Sequence, residues 1–189
     1  MISQAPGKFF QRFGGNGYYV AYDLKQTLDS GYIVAGSTSS FGFGNTDMYL
    51  AKLNKMGEVV FQKTFGDYNN ETAKSIIQLL DSSYVILGYT NSFGAGGYDM
   101  YLVKVDKIGQ LVWQKNYGGV DWDFGYSLKQ TTDGGFIIAG TTYSFGRGNA
   151  DGYIIKTDAL GNMVWSKTFG GNHNDEFKSV FQTSDGGYA

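Results

Sequence analysis

The stretch Asp133–Gly171 reads DGGFIIAGTTYSFGRGNADGYIIKTDALGNMVWSKTFGG, and closely similar stretches begin at Asp29 and Asp81. The spacing between copies is 52 residues each time, with no insertion or deletion. A repeat of this length marks a supersecondary unit that cannot bury its apolar faces alone. The chain is therefore predicted to be an array of stacked copies of one unit.

Each unit is predicted to contain four β-strands, named a to d. In the second unit these strands span 75–79, 84–90, 100–105 and 111–116. Asp followed by Gly, as at Asp133-Gly134, indicates a hairpin between a and b because that turn needs a positive φ. Strands b and c are apolar at consecutive positions, which predicts a sheet covered on both faces. Strand d is more polar and repeats a lysine, as expected of a protected edge strand, at Lys63, Lys115 and Lys167.

These features predict an all-β fold. A small four-stranded antiparallel sheet covered on both faces by its own copies is typical of a β-propeller blade. A β-solenoid is the alternative, but its coils are usually shorter and need no tight hairpin at both turns. We predict a partial, open β-propeller with about three and a half repeats in a single array over 1–189. Its parts are a lone outer strand at 8–13, blades at 21–64, 73–116 and 125–168, and the start of an incomplete blade at 177–189.

The number of units decides what the array can do alone. Closed propellers have about four to eight blades, so this array does not close a ring. Two copies would supply about seven units, but each junction blade would lack nearly all of strands b and c, leaving apolar faces and main-chain groups bare. We expect a fragment of a longer protein instead, with self-association through its open terminal blades.

Composition excludes several classes of function. The net charge is −2 and the lysines are evenly spread, which argues against a nucleic-acid partner. No apolar run approaches the roughly 20 residues of a membrane-spanning helix, and the first residues lack the apolar core of a secretion signal. The chain has no cysteine and one histidine, His173, so thiolate zinc sites and His-based triads are excluded.

The repeated unit D-G-G-Y/F-I-x-x-G-x-T-x-S-F-G-x-G-x-x-D-x-Y-L-x-K-x-D-x-x-G-x-x-x-W-x-K-T-F-G-G resembles the β-propeller repeats of exported or surface proteins of bacteria and archaea. The resemblance covers the chain from Phe9 onward and implies an extracellular or cell-surface location. The turn Asp106–Gly109 ahead of Trp113 is similar to the tryptophan-docking turn of quinoprotein-type propellers. The first unit departs from that turn, with Asn54 in place of Asp and Phe61 in place of Trp.

Two sets of acidic residues fall in register. The first set begins strand c and is expected to cap its own loops, although a ring of carboxylates for cations is the alternative: Asp47, Asp99 and Asp151. The second set precedes strand a and, with Asp121, is a candidate Ca²⁺ site, the alternative being a solvated acidic rim: Glu71, Asp123 and Asp175. Three in-register glycines are expected to serve turns or caps: Gly36, Gly88 and Gly140.

Trp122 breaks the repeat, since it aligns with Tyr18, Asn70 and Asn174. Chain direction alternates along each unit, so the b–c loops and the d–a joins are predicted on one face, the long-loop face. An exposed indole there would stack on a sugar or contact a partner protein, and the alternative is that it packs on the neighbouring blade. Asp121 and Asp123 flank it as further candidate binding residues.

The function that these observations favour is a non-catalytic scaffold that presents loops to a protein or glycan partner. Near-identical blades favour a scaffold because an active site usually makes some blades diverge. The alternative is part of an enzyme propeller, quinoprotein-like or glycan-cleaving, whose active site lies mostly outside this chain. No cofactor or metal centre is predicted beyond the candidate Ca²⁺ site.

Overall fold

The computed structural model describes residues 14–189, and within that range it contains twelve β-strands and no helix. The strands, in chain order, are β1 (Tyr19–Gln26), β2 (Tyr32–Thr38), β3 (Asp47–Leu53), β4 (Val59–Phe65), β5 (Glu71–Gln78), β6 (Tyr84–Thr90), β7 (Asp99–Val105), β8 (Leu111–Tyr117), β9 (Asp123–Gln130), β10 (Phe136–Thr142), β11 (Asp151–Thr157) and β12 (Met163–Phe169). The predicted all-β class is confirmed. The lone strand expected at 8–13 lies outside the described residues.

The strands form three four-stranded antiparallel sheets, one for each unit. Sheet 1 contains β1 to β4, sheet 2 contains β5 to β8, and sheet 3 contains β9 to β12, each paired in chain order. Strand a begins earlier than the sequence predicts, because polar Glu71 and Thr72 already pair with Thr90 and Tyr89. Strand d is an edge strand in every sheet, as its lysines predict.

Residues 177–189 contain the predicted turn but no strand. Gln182 and Tyr188 form an isolated bridge, and Phe181 and Ala189 exchange two main-chain hydrogen bonds of 2.9 and 3.1 Å. The hairpin geometry of the other units is therefore repeated here in a shorter form.

The core lies between the sheets, on both faces of sheet 2. Along β6, Ile86 packs toward sheet 1 in a cluster with Ile33 and Leu50, while Leu87 packs toward sheet 3 with Ile138. All of these side chains are fully buried. Strands b and c are therefore apolar at consecutive positions because both of their faces are buried, as predicted.

Each a–b turn contains a residue with the positive φ that a tight hairpin needs, although among the three sheets only Asp133-Gly134 has the Asp-Gly sequence. The residue directly after the turn aspartate has a φ of 64° at Ser30, 67° at Ser82 and 81° at Gly134. Beneath the first of these turns lies a buried lysine that the sequence did not single out. Lys52 Nζ donates to Asp29 Oδ1 at 2.9 Å and to the Leu53 carbonyl oxygen at 2.9 Å, which ties the turn to strand c.

The predicted turn or cap role of Gly36, Gly88 and Gly140 is wrong, since each glycine lies inside strand b. Strand a carries a β-bulge opposite that strand, so that its main chain crosses close above the glycine. A methyl group on any of the three would overlap a carbonyl oxygen of strand a. These positions are glycine because the bulge leaves no room for a side chain.

The free faces of the outer sheets expose apolar side chains. On β1, Val20 and Leu24 are exposed, and beyond sheet 3 Phe169 and Phe181 are exposed. Within residues 14–189 there is no helix with the length and apolarity needed to cross a membrane.

Candidate functional site on the long-loop face

The long-loop face consists of the b–c loops and the d–a joins, which the structure brings to one edge of the stacked sheets. The loops are 39–46, 91–98 and 143–150, and the joins are 66–70, 118–122 and 170–174. Main-chain hydrogen bonds connect each loop to the next join or to the residue after it, including Asn45 N to Asn69 O at 2.9 Å and Asp175 N to Ala150 O at 2.8 Å. Every join is therefore held against the loop of the preceding unit.

The acidic residues at the start of strand c accept main-chain hydrogen bonds from their own loops. Asp47 accepts from the amides of Phe43 and Gly44, both at 3.3 Å. At the equivalent positions, Asp99 accepts from Ala95 N at 3.2 Å and Asp151 from Arg147 N at 2.8 Å. This is the geometry of a loop cap, and all three carboxylates are buried rather than turned toward solvent.

Two of the three acidic residues that precede or begin strand a are not part of a solvated rim. Glu71 and Asp123 are completely buried, because the loops of neighbouring units cover them. Asp123 Oδ2 accepts from Gly119 N at 2.9 Å and from Ser144 Oγ at 2.6 Å, whereas its Oδ1 has no hydrogen-bond partner among the described residues. Asp175 is exposed and accepts from Gly171 N at 3.0 Å.

The two acidic sets meet in pairs, and each pair lies beside a glycine in the join. Asp47 and Glu71 both face Gly66, and Asp99 and Asp123 both face Gly118. Burial raises the pKa of Glu71, and the nearby Asp47 carboxylate raises it further. Burial likewise raises the pKa of Asp99 against the opposing hydrogen bond from Ala95, with Asp123 adding to the rise.

Ca²⁺ needs six to eight oxygen ligands, which a pair of carboxylates does not supply. No group of three or more His, Cys, Asp or Glu side chains within the described residues is arranged to hold a metal ion. The candidate Ca²⁺ site therefore has no structural support in residues 14–189.

Because the pKa values of the buried carboxyl groups are raised, we expect the free energy of unfolding to fall as the pH rises above 4.5, the ordinary pKa of Glu. A carboxyl group with a raised pKa keeps its proton more tightly in the folded state, so its contribution is present at low pH and is lost as the pH rises through the folded-state pKa. Replacing Glu71 with Gln and Asp99 with Asn should flatten this decline. Urea unfolding midpoints between pH 4.5 and 8 measure the slope.

The matched control is Asp158→Asn, because Asn54 already occupies that position in the first unit. Hydrogen bonds from Asn162 and from its own turn lower the pKa of Asp158, so it is ionised in both states above pH 4.5 and its removal should leave the slope unchanged. Equal slopes for wild type and the Glu71→Gln/Asp99→Asn variant would contradict the prediction.

Trp122 belongs to a group of packed rings between sheets 2 and 3, which we call the aromatic cluster. Its members are Tyr89, Tyr98, Trp122, Phe124 and Tyr143. Ring centroids lie 5.0 Å apart for Tyr89 and Phe124, and 6.2 Å apart for Trp122 and Tyr143. Tyr89, Tyr98 and Phe124 are half-buried, while Trp122 is 53% exposed and Tyr143 is 40% exposed. The cluster thus has a packed base and an open edge.

The aromatic cluster is not repeated in the other units. Tyr89 aligns with Ser37 and Thr141, Tyr98 with Thr46 and Ala150, Phe124 with Val20, Thr72 and Glu176, and Tyr143 with Ser39 and Asn91. Only the position of Trp122 is aromatic in another unit, at Tyr18. Sequence reasoning found Trp122 and missed its four neighbours, although the same register comparison would have identified them.

A cleft opens beside the exposed edge of the cluster, with a volume of about 540 Å³. Its lining residues are Asp121, Trp122, Tyr143, Gly148, Asn149 and Asn174. Two of the five predicted binding residues, Trp122 and Asp121, therefore line one cleft. Asp123 is buried, Asp175 directly follows the third join, and Glu71 begins β5, between sheets 1 and 2. None of these three lines the cleft.

Comparisons with known proteins leave the family open. No family model matches the chain. It is 27% identical over 128 residues to "Regulatory protein FlaEY" of Caulobacter vibrioides, a match that covers 59% of this chain and 13% of that protein. Among solved structures, a protein of unknown function from Bacteroides caccae aligns with 89% of this chain and 70% of its own, at 13% identity and a TM-score of 0.30. The chain thus spans only a small part of the curated relative that it matches.

Proposed function

We propose that the chain is a non-catalytic binding scaffold that presents a protein or glycan site on its long-loop face. The observation that supports this is the aromatic cluster, which occurs once in a framework that is otherwise repeated. Packing requirements recur in every unit, whereas a ligand needs a site at one place only. The non-repeated residues are therefore the ones on which binding should depend.

In this proposal the three sheets are blades of a β-propeller of the 52-residue-repeat type. The support is that each sheet has four antiparallel strands in chain order and stacks on its copies through strand a. An exported or cell-surface setting is part of the same proposal and rests on the resemblance of the repeat alone.

The alternative is an enzyme propeller whose active site lies mostly outside the chain. Glycoside hydrolysis ordinarily uses two carboxyl groups on opposite sides of the scissile bond. Among the cleft residues that the structure describes, Asp121 alone carries a carboxylate. A binding role therefore accounts for this cleft better than glycoside hydrolysis does.

The proposal predicts that a partner captured by the chain depends on Trp122. Wild-type chain and the Trp122→Asn variant are applied to an array of glycans and proteins. Asn is the residue that the repeat places at this position in Asn70 and Asn174, so the variant should fold. We expect at least one array component to lose binding by about tenfold or more, a difference of about 1.4 kcal/mol.

Tyr18→Asn is the matched control, because Tyr18 occupies the same register position and is 84% exposed but lies outside the aromatic cluster. This variant should bind like wild type. A wild-type chain that binds nothing on the array, or a partner bound equally by Trp122→Asn, would contradict the proposed function.

A further inference from the structure

We propose that the ligand of the cleft at Trp122 is a neutral carbohydrate, with one sugar ring against the indole and its hydroxyl groups on the surrounding amides. This inference rests on the proposed binding function and names the ligand class for the same site. It is carried by the side chains that line the cleft and by the way the chain makes room for the indole.

The main chain at Trp122 is the same as at the other joins, so the fold does not demand an indole there. Tyr143 N donates to the Trp122 carbonyl oxygen at 2.8 Å, and Asn91 N donates to the Asn70 carbonyl oxygen at 3.1 Å in the preceding junction. The preceding junction adds a side-chain bond, from Asn70 N to Asn91 Oδ1 at 2.7 Å. At the second junction that side-chain bond is replaced by the Trp122–Tyr143 ring pair.

A second departure from the repeat, at residue 97, makes room for the indole of Trp122. The b–c loop has Asn45 and Asn149 in two units but Gly97 in the unit that faces Trp122. A side chain at position 97 would overlap the indole Cδ1, so Trp122 can lie against this loop only because residue 97 is glycine. Two compensating differences place one large ring at the mouth of a cleft.

The ring so placed remains largely in contact with solvent. Tyr98 and Phe124 support it from beneath, with centroids 6.4 and 6.3 Å from the indole, but 53% of the residue is exposed. A rigid aromatic surface held open by its neighbours offers contact area at low entropic cost. It is suited to the C–H face of a sugar ring, which is apolar while the ring edge carries hydroxyl groups.

The other lining residues complement that hydroxyl-bearing edge. The side chains of Asp121, Asn149 and Asn174 form no hydrogen bond with any other residue in 14–189. Each Asn amide can donate and accept, and the carboxylate can accept twice, which matches neighbouring hydroxyl groups that also do both. These polar groups therefore have unused hydrogen-bonding capacity around the aromatic surface.

Charge and size separate a carbohydrate from other ligands. No Lys, Arg or His lines the cleft among the described residues, so nothing there neutralises a phosphate, sulfate or carboxylate. The volume of about 540 Å³ lies within the roughly 300–1,000 Å³ of small-ligand sites. A folded protein partner would bury about 800 Å² of each surface, far more than this cleft provides. The neutral sugar fits these limits best.

The test uses Trp122 as its own reporter. The substitutions Trp113→Phe and Trp165→Phe leave Trp122 as the only tryptophan. Phe61 shows that the repeat accepts phenylalanine at the register position of Trp113 and Trp165. This protein is titrated with neutral hexasaccharides of glucose, mannose, xylose and N-acetylglucosamine, and with a heparin hexasaccharide as the anionic comparison. We expect a saturable change in Trp122 emission with at least one neutral saccharide and none with heparin.

Calorimetry with the same saccharide should show an affinity weaker by about tenfold or more for Trp122→Asn, and an unchanged affinity for Tyr18→Asn. The inference is overturned if no neutral saccharide gives a saturable signal, or if only heparin does. A protein on the array that depends on Trp122, with no saccharide bound, would overturn the carbohydrate assignment and leave the proposed binding function standing.

Discussion

Replacing Gly88 with valine is expected to lower the free energy of unfolding by about 3 kcal/mol, the upper end for overpacking a well-packed interior. Gly88 lies in β6 opposite the bulge of β5, and a Cβ atom there would overlap the Thr72 carbonyl oxygen. The backbone of Gly88 is not in the left-handed region, so the cost is steric. Relief would require β5 to move away from β6, and β5 is the strand that packs on sheet 1.

Urea unfolding followed by far-UV circular dichroism measures this loss, and the melting temperature should fall by roughly 6–12 °C for a chain of this size. Gly171→Val is the control, because nothing lies within 4 Å of a Cβ atom placed there. Gly171→Val should change the free energy of unfolding by no more than about 0.5 kcal/mol. If both variants were equally stable, the bulge would not be the reason for glycine at Gly36, Gly88 and Gly140.

The sheets and turns could be predicted because their sequence signals recur at the same position in every unit. Four strand segments recur with the same spacing, and each turn needs a residue with positive φ, as at Gly134. The role of Gly88 could not be predicted in this way, because its cause is a carbonyl oxygen on a different strand. The burial of Glu71 was also missed, since it depends on how the loop of the preceding unit covers the join.

The candidate site was predictable in part for a related reason. Trp122 is visible in the sequence as a break in the repeat, but its partners come from separate segments that only stacking brings together. Tyr98 lies in the loop before the join and Tyr143 in the loop after it. Comparing units position by position identifies each as exceptional, whereas their closeness to one another requires the packed structure. The register comparison selects residues, and the fold assembles them.

Trp113→Ala is expected to destabilise the protein by about 2–3 kcal/mol, somewhat less than a fully buried tryptophan because the indole is only half-buried. Trp113 on β8 packs on Phe136 of sheet 3, with centroids 6.2 Å apart. Its ring also lies 2.9 Å from the position of a Cβ atom on Gly161, in the c–d turn of sheet 3. Tyr117 Oη donates to the carbonyl oxygen of Gly161 at 2.6 Å, which holds the same turn.

Trp113→Phe is the matched variant, because Phe61 lies against Gly109 of sheet 2 in the same way. It should retain most of the stability that alanine loses. In a stacked array each unit contacts only its neighbours, so the damage of Trp113→Ala should concentrate at the junction of sheets 2 and 3. Hydrogen exchange should accelerate in β9–β12 and change little in β1–β4. Uniform acceleration across all three sheets would mean that they unfold as one cooperative body, and that this junction is not a separable contact.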